Sequence, residues 1–278
     1  MSFLVLLLAV LLERFTRLRG RLQQDAPLLA LLIRWASRPS LAGRPWLALG
    51  AVLLAILLPT SLLLLVLEPL FYAALLVPLH VLILLWSFGR GDLTRSLQPF
   101  RASWLRGDAE AASLEAERDL GVQAGDAPAL LHQVQGYLLW QAYQGFFAVI
   151  FCYVLLGPLG AMAYRLLALA AEQHEAESLR APAVRLRHLL DWLPARLLVL
   201  SLALAGNFVL AGRVLWPRLL DMQAVACRLV VEGGRAAAEL GEPLAGRAGV
   251  ASLDALQQLL LRAGLVWASA LALGILLF

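Results

Sequence analysis

Lysine is absent from this chain of 278 residues, and all 23 of its basic residues are arginine. Because the phosphate contact of a Walker-type loop is a lysine, this absence excludes that nucleotide-binding motif. Cysteine is scarce, since Cys152 lies in an apolar run and Cys227 in a polar segment far along the chain. Two isolated cysteines form neither a metal-ligand spacing nor a disulfide framework. The HExxH, GxSxG, CxxC and glycine-rich dinucleotide motifs are also missing, so no common enzyme class is indicated.

Charged residues are few as well, at 15% of the chain, whereas 61% of the residues are hydrophobic. The mean hydropathy is +0.78. A soluble domain averages about 25% charged residues, so this balance predicts that the bilayer is the solvent. The arginines flank long apolar blocks, a pattern typical of membrane topology and not of a phosphate-binding stripe. We therefore predict the lipid bilayer as a partner and no nucleic acid.

The apolar blocks predict an all-α, polytopic helical integral membrane protein with about five transmembrane helices of about 20 residues each. The predicted spans are Trp46–Leu67, Leu70–Phe88, Tyr137–Leu156, Leu193–Trp216 and Leu261–Phe278. The first two form a predicted transmembrane hairpin, 46–88, with its turn at Glu68 and Pro69, because a carboxylate beside a proline is costly inside the bilayer.

Orientation follows from the arginines. Residues 1–45 are predicted to form a short apolar helix and then the most basic connection of the chain, Arg14–Arg44. The positive-inside rule places that connection in the cytoplasm of a bacterial cell, and the chain as a multi-pass protein in the inner membrane. The hairpin then returns residues 89–136 to the cytoplasm, and Pro217–Leu260 is expected on the outside.

Residues 89–136 are predicted to form a small cytoplasmic helical domain. Asp108 is a good N-cap for a helix over Ala109–Leu120, and Asp126 followed by Pro128 starts another helix. Further on, Gly157 and Pro158 are expected to break the apolar run, so that Leu159–Ala171 becomes a short return helix or a re-entrant element.

Polar side chains inside the spans are costly unless paired, and so they are the candidate functional residues. Arg165, beside Tyr164 and behind the Gly-Pro break, is the best candidate for an anion contact. Arg196 is either such a contact or a side chain that snorkels to the headgroups, and Asn207 is expected to form an interhelical hydrogen bond. Residues 172–177 hold three glutamates and a histidine, which indicate a solvated helix start more than a metal site. No catalytic residue and no metal ligand is assigned.

Two motifs in the second half carry a resemblance. Gly157–Arg165 (GPLGAMAYR) and Leu189–Asn207 (LLDWLPARLLVLSLALAGN) are similar to the CobD/CbiB superfamily of membrane proteins, over residues 137–278. The structural positions of the motifs are Gly157, Pro158, Gly160 and Pro194. The surviving polar positions suggest a candidate anion cavity, formed by Tyr164, Arg165, Asp191, Arg196 and Asn207.

CobD/CbiB members form an amide from a corrinoid acid and an aminopropanol derivative, with a nucleoside triphosphate. The acidic and amide positions that the resemblance implies for a metal-nucleotide are neutral or aromatic here, at Gly136, Trp140, Gln141, Gln144, Ala168 and Ala171. The resemblance therefore implies that the synthase activity is lost and that no cofactor is needed. The alternative is a diverged ATP-dependent amide-forming synthetase, which would bind nucleotide and Mg²⁺.

One branch of the superfamily, the AmpE family, resembles this chain in length, in the Leu-x-Glu-Arg-Phe start at Leu11–Phe15 and in the motif at Asp191–Leu197. That resemblance implies a regulatory role in signal transduction: sensing cell-wall (muropeptide) stress during peptidoglycan recycling and supporting β-lactamase induction and antibiotic resistance. Its implied partners are cytoplasmic muropeptide-recycling or cell-wall proteins and a small anionic ligand. A third interpretation is a scaffold whose polar residues only hold helices together.

Overall fold

The computed structural model describes residues 5–9, 12, 30, 31, 33, 34, 44–89, 93–172, 177–241 and 246–277. Most of the predicted basic connection Arg14–Arg44, and residues 173–176 of the glutamate cluster, lie outside these residues. The labelled elements are α1 (Pro45–Ser87), α2 (Leu93–Ser96), α3 (Gln98–Arg106), α4 (Ala109–Leu120), α5 (Ala127–Ala142), a π-helix (Tyr143–Phe147), α6 (Ala148–Glu172), α7 (Glu177–Ala205), α8 (Phe208–Leu215), a 3₁₀ turn (Trp216–Arg218), α9 (Ala226–Ala237) and α10 (Gly246–Leu277).

The fold class is confirmed: the protein is an all-α polytopic membrane protein. No strand occurs among the residues described. Within those residues, helices long and apolar enough to cross a membrane cover Pro45–Leu67, Ala127–Glu172, Ser178–Ala205 and Gly246–Gly274, and a shorter apolar helix covers Leu76–Ser87. A span of about 20 apolar residues matches the hydrocarbon thickness of a bilayer.

The chain divides into two compact units. Unit one comprises Met1–Phe88 and Ala148–Asp191, and unit two comprises Gly89–Phe147 and Trp192–Phe278. In unit one, residues 48–52 of α1 form a core cluster with residues 167–170 of α6 and with Leu179 and Ala183 of α7.

The hairpin predicted for 46–88 stays a prediction, although no loop separates its two halves, because the backbone is helical from Pro45 to Ser87. Residues 48–52 of α1 cluster with residues 167–170 of α6, and His80 of α1 bonds to Tyr153 of α6. On a straight α1 residues 50 and 80 would be about 45 Å apart, whereas residues 153 and 168 of α6 are separated by about 22 Å, so these contacts indicate that α1 bends between them. A proline removes one hydrogen-bond donor, which a membrane helix tolerates without a turn.

The caps predicted for the polar segment are confirmed. Asp108 accepts a hydrogen bond from the backbone N–H of Ala111 at the start of α4, and Asp126 accepts one from Ala129 at the start of α5. Helix α5 then continues past residue 136, so no turn separates the polar segment from the apolar helix that follows. The cytoplasmic location of the segment stays a prediction.

The span predicted over Leu193–Trp216 is also corrected. Helix α7 begins at Glu177 and ends at Ala205, and Gly206 with Asn207 separates it from α8. A Cβ on Gly206 would lie 2.3 Å from the carbonyl oxygen of Ala237, so only glycine permits this close approach. Similarly, α10 begins at Gly246 and not at Leu261.

The outside location expected for Pro217–Leu260 does not fit the contacts of unit two. Arg101 Nη1 lies 2.7 Å from Asp254 Oδ1, and Gln135 Nε2 donates to Ser252 Oγ at 2.7 Å. Neither this ion pair nor this hydrogen bond can form across a bilayer, because the hydrocarbon core is about 30 Å thick. Residues 101 and 135 therefore lie on the same side as residues 252–254, contrary to the prediction.

Candidate functional site

A buried polar cluster connects α6 with α7 inside unit one. The Tyr164 hydroxyl donates a hydrogen bond of 2.8 Å to Oδ1 of Asp191. Tyr164 is completely buried, and Asp191 is 3% exposed. The sequence analysis placed both residues in the candidate cavity, and the structure brings them into direct contact.

Arg187 completes this cluster. Its Nε lies 3.3 Å from Oδ2 of Asp191, one helical turn further along α7. The Asp191 carboxylate thus accepts a hydrogen bond from the Tyr164 hydroxyl on one oxygen and forms an ion pair with the Arg187 guanidinium through the other. We call Tyr164, Arg187 and Asp191 the α6–α7 polar cluster.

The α6–α7 polar cluster is costly to maintain. Removing two charges from water costs several kcal/mol per ion, and a buried pair is stable only when its geometry and hydrogen bonds are good. Apolar residues of similar volume often give an equal or more stable core. Ionisable residues inside a membrane protein are accordingly functional candidates by default.

Arg187 is the member of this cluster that the candidate cavity predicted from the sequence did not include. The spacing of Arg187 and Asp191, four residues apart on one helix, was the available signal. The contact with Tyr164, 27 residues away in sequence, could not be read from any local pattern.

Arg165 follows Tyr164 on α6 and is 5% exposed. A guanidinium cannot lose its charge in a protein, so the burial of Arg165 makes this part of α6 strongly polar for a membrane helix. Its role as an anion contact stays a prediction.

Arg196 is buried in unit two and is bound by backbone carbonyls. Its Nε donates to Leu219 O at 2.6 Å and its Nη1 to Trp192 O at 2.6 Å. Its Nη2 donates to the carbonyls of Arg218 and Asp221, at 2.9 and 2.5 Å. The guanidinium carbon also lies 4.5 Å from the ring centroid of Trp192, within cation–π range.

These contacts decide the structural role of Arg196. Carbonyls at the end of a short helix have no partner within it, and a planar guanidinium with five donors can satisfy several of them at once. Arg196 therefore anchors the turn after the 3₁₀ helix and does not snorkel to headgroups.

Asn207 is a helix cap and not a residue deep in a span. Its side-chain oxygen accepts a hydrogen bond from Leu210 N at 3.0 Å at the start of α8. Its Nδ2 donates to Glu239 Oε1 at 2.7 Å, and its backbone N–H donates to Ala237 O at 2.8 Å. The expected hydrogen bond to another segment is present, but it holds α8 against the end of α9.

The motif glycines have clear structural reasons. Gly157 has φ 72° and ψ −165°, a combination that is essentially confined to glycine, and it interrupts α6 where the sequence predicted a break. A Cβ on Gly160 would lie 2.3 Å from Leu156 Cβ and 2.7 Å from Cys152 O. Pro158 follows the break, whereas Pro194 lies inside α7 and leaves the carbonyl of Leu190 without its usual helical donor.

Within the described part of the chain, no group of three or more His, Cys, Asp or Glu side chains could hold a metal ion.

Outside the membrane-spanning segments, Glu232 on α9 bonds to Arg218 and, at 2.7 Å, to Arg228. Partial burial raises the pKa of Glu232, but the hydrogen bonds from the two arginines outweigh that effect and the net shift is downward.

The match to a known family decides what kind of protein this is. The family described as regulatory signalling modulator protein AmpE matches residues 1–231. The chain belongs to the AmpE family. No curated protein and no solved structure gives a significant match. Membership in the AmpE family establishes a regulatory membrane protein, whereas the resemblance to CobD/CbiB stays a prediction.

Proposed function

We propose that this protein is an inner-membrane regulator that links cell-wall (muropeptide) stress to β-lactamase induction. The observation that carries the proposal is the family match over residues 1–231, which covers the α6–α7 polar cluster and the motif around it. The all-α membrane fold supports it, because a regulator of this kind needs to pass a signal to soluble partners.

We further propose that the α6–α7 polar cluster transmits the signal. Arg187 and Asp191 both belong to α7, so their ion pair moves with that helix. The Tyr164–Asp191 hydrogen bond instead joins two helices, and a relative shift of α6 and α7 would break it. A buried polar contact between two packed helices has discrete made and broken states, which is what a switch requires.

The proposed partners are cytoplasmic muropeptide-recycling or cell-wall proteins. Helices α3 and α4 offer a mixed surface for them, with the charged residues Glu110, Glu117 and Arg118 exposed beside Leu114, which is 67% exposed. A small anionic ligand is proposed to act near Arg165, beside the polar cluster. No observation favours the alternative, an amide-forming synthetase.

The test is β-lactamase induction by a β-lactam in the native host lacking this gene. The deletion strain receives wild type, Tyr164→Phe or the control Ser87→Ala, each at the same level in the membrane. Ser87 is as completely buried as Tyr164, but its hydroxyl donates to Ile83 O of its own helix at 2.7 Å. Both variants lose one buried hydroxyl, and only Tyr164→Phe breaks a contact between helices.

Wild type and Ser87→Ala are expected to restore induction, and Tyr164→Phe is expected to restore much less of it. If deletion of the gene leaves induction unchanged, the regulatory proposal is wrong. If Tyr164→Phe restores induction as well as wild type does, the protein regulates induction without using the α6–α7 polar cluster as its switch.

A further inference from the structure

An open cavity of about 420 Å³ lies beside the Gly157–Pro158 break in unit one. This volume is within the range of small-molecule sites in proteins. Both α1 and α6 contribute to its wall, together with the short N-terminal helix at Val5. The residues that define it here are Leu65, Val77 and His80 of α1, and Leu156, Pro158 and Leu159 of α6.

The surroundings of the cavity determine where an occupant comes from. Its walls belong to helices that are long and apolar enough to cross a membrane. Next to the wall residues, Leu62 is 61% exposed and Leu155 is 66% exposed, as side chains facing lipid are. An opening among such residues faces hydrocarbon, so its occupant is a molecule dissolved in the bilayer.

His80 is the ionisable group in the wall. Its Nδ1 lies 3.2 Å from the hydroxyl of Tyr153, and the two rings meet edge to face at 6.2 Å. Tyr153 is 2% exposed, so this contact fixes one side of the imidazole. When the tyrosine hydroxyl donates to Nδ1, the other nitrogen, Nε2, carries the proton and is a hydrogen-bond donor.

The other polar side chain of the wall is satisfied locally, since the Ser61 hydroxyl donates to Leu58 O at 2.8 Å. Among the described residues, the cavity thus combines apolar walls with one imidazole, whose Nε2 is an N–H donor when Tyr153 donates to Nδ1. Phospholipids match this combination, because each joins long hydrocarbon chains to ester carbonyl oxygens that only accept hydrogen bonds.

We propose that this cavity binds one chain of a membrane phospholipid and that His80 Nε2 donates a hydrogen bond to an ester oxygen of that lipid. The break at Gly157 is what opens the site, because Leu156, Pro158 and Leu159 lie directly on either side of it. The binding site is independent of the proposed role in β-lactamase induction.

The full chain is purified in mild detergent, stripped of lipid and titrated with palmitoyl-oleoyl phosphatidylethanolamine, and bound lipid is counted by native mass spectrometry. Wild type is expected to bind one lipid saturably. Val77→Trp fills the cavity and should lower the affinity about tenfold or more. The control Leu62→Trp adds the same side chain to the exposed surface of α1 and should bind like wild type. Equal binding by Val77→Trp and Leu62→Trp would show that the lipid does not occupy this cavity.

The hydrogen bond is tested on the unaltered protein by comparing the ester lipid with its ether-linked analogue, which lacks the carbonyl oxygens. Wild type should prefer the ester lipid by about threefold to tenfold, as expected for one neutral hydrogen bond. His80→Phe keeps an aromatic ring and should show no preference. Equal affinity of wild type for the two lipids would overturn the role of His80, and tighter binding of free palmitate than of the phospholipid would overturn the assignment of the ligand.

Discussion

The hydroxyl of Tyr164 on α6 donates a hydrogen bond of 2.8 Å to the carboxylate of Asp191 on α7, and both side chains are buried. In Tyr164→Phe the carboxylate keeps Arg187 but loses this donor. We expect Tyr164→Phe to lower the free energy of unfolding by about 1–3 kcal/mol, because a buried charged acceptor loses one of its hydrogen-bond donors. Thermal unfolding in detergent, compared with Ser87→Ala, measures the difference. A loss no larger than that of Ser87→Ala would show that the contact adds nothing to stability.

The ion pair of Arg187 and Asp191 should respond differently to single and double substitution. Asp191→Asn leaves the Arg187 charge buried without its carboxylate, so we expect a loss of about 3–5 kcal/mol. The double variant Arg187→Met, Asp191→Leu removes both charges but leaves the Tyr164 hydroxyl without its acceptor, so we expect a loss of about 1–3 kcal/mol, smaller than that of Asp191→Asn. If the double variant is also strongly destabilised, the pair is a requirement for folding and not a functional device. A stable double variant that fails to restore β-lactamase induction would support the proposed switch.

Gly157 should resist replacement because of its backbone conformation. Its φ of 72° and ψ of −165° are strained for any residue with a Cβ, so Gly157→Ala should cost about 1–3 kcal/mol even though the space around it is open. Gly50 lies inside helix α1, also with nothing within 4 Å, and Gly50→Ala should stabilise by about 0.5–1 kcal/mol. The melting temperature should therefore fall in Gly157→Ala and rise in Gly50→Ala. An unchanged melting temperature of Gly157→Ala would mean that α6 can become a continuous helix at residue 157.

Features with local causes could be predicted from the sequence. Asp108 and Asp126 cap their helices because a short carboxylate side chain can accept a hydrogen bond from the backbone N–H three residues later, and this contact does not depend on the rest of the fold. The break at Gly157 has a local cause too, since a glycine before a proline disfavours a continuous helix. Composition alone was enough for the membrane class.

Features that depend on distant contacts could not be predicted. A turn was predicted at Pro69, but the backbone there is helical, and how far α1 bends depends on its contacts with α6, about 100 residues further along the chain. Asn207 was interpreted as a polar residue inside a span because its hydrogen bonds to Ala237 and Glu239, which hold it against the end of α9, join residues 30 and 32 positions apart. The role of Arg196 depends on carbonyls more than 20 residues away, in a turn that no motif announces.

Glu232 should make the stability of unit two depend on pH. Its folded-state pKa is lowered because the hydrogen bonds from Arg218 and Arg228 outweigh partial burial. A lowered pKa of a carboxyl group adds stability above its unfolded value, about 4.3, and that stability is lost as the pH falls through the folded pKa. The groups are partly exposed, so we expect less than about 1 kcal/mol. The melting temperatures of wild type and Glu232→Gln are measured from pH 7 to pH 3, and the difference between the two proteins should shrink as the pH falls. A difference that stays the same at every pH would contradict the prediction.

The ion pair of Arg101 and Asp254 requires the polar helices and the start of α10 to lie on one side of the membrane. Single cysteines at Glu110 on α4 and Ala251 on α10, both exposed, test this in a background with Cys152 and Cys227 replaced by serine. We expect an impermeant maleimide to label both Glu110→Cys and Ala251→Cys in inverted inner-membrane vesicles and neither in intact spheroplasts. Arg21→Cys, in the predicted cytoplasmic connection, serves as the reference. Labelling of Glu110→Cys and Ala251→Cys from opposite sides would contradict the packing of unit two. Labelling of both from the outside would keep that packing but overturn the cytoplasmic location, and it would mean that α1 crosses the membrane once.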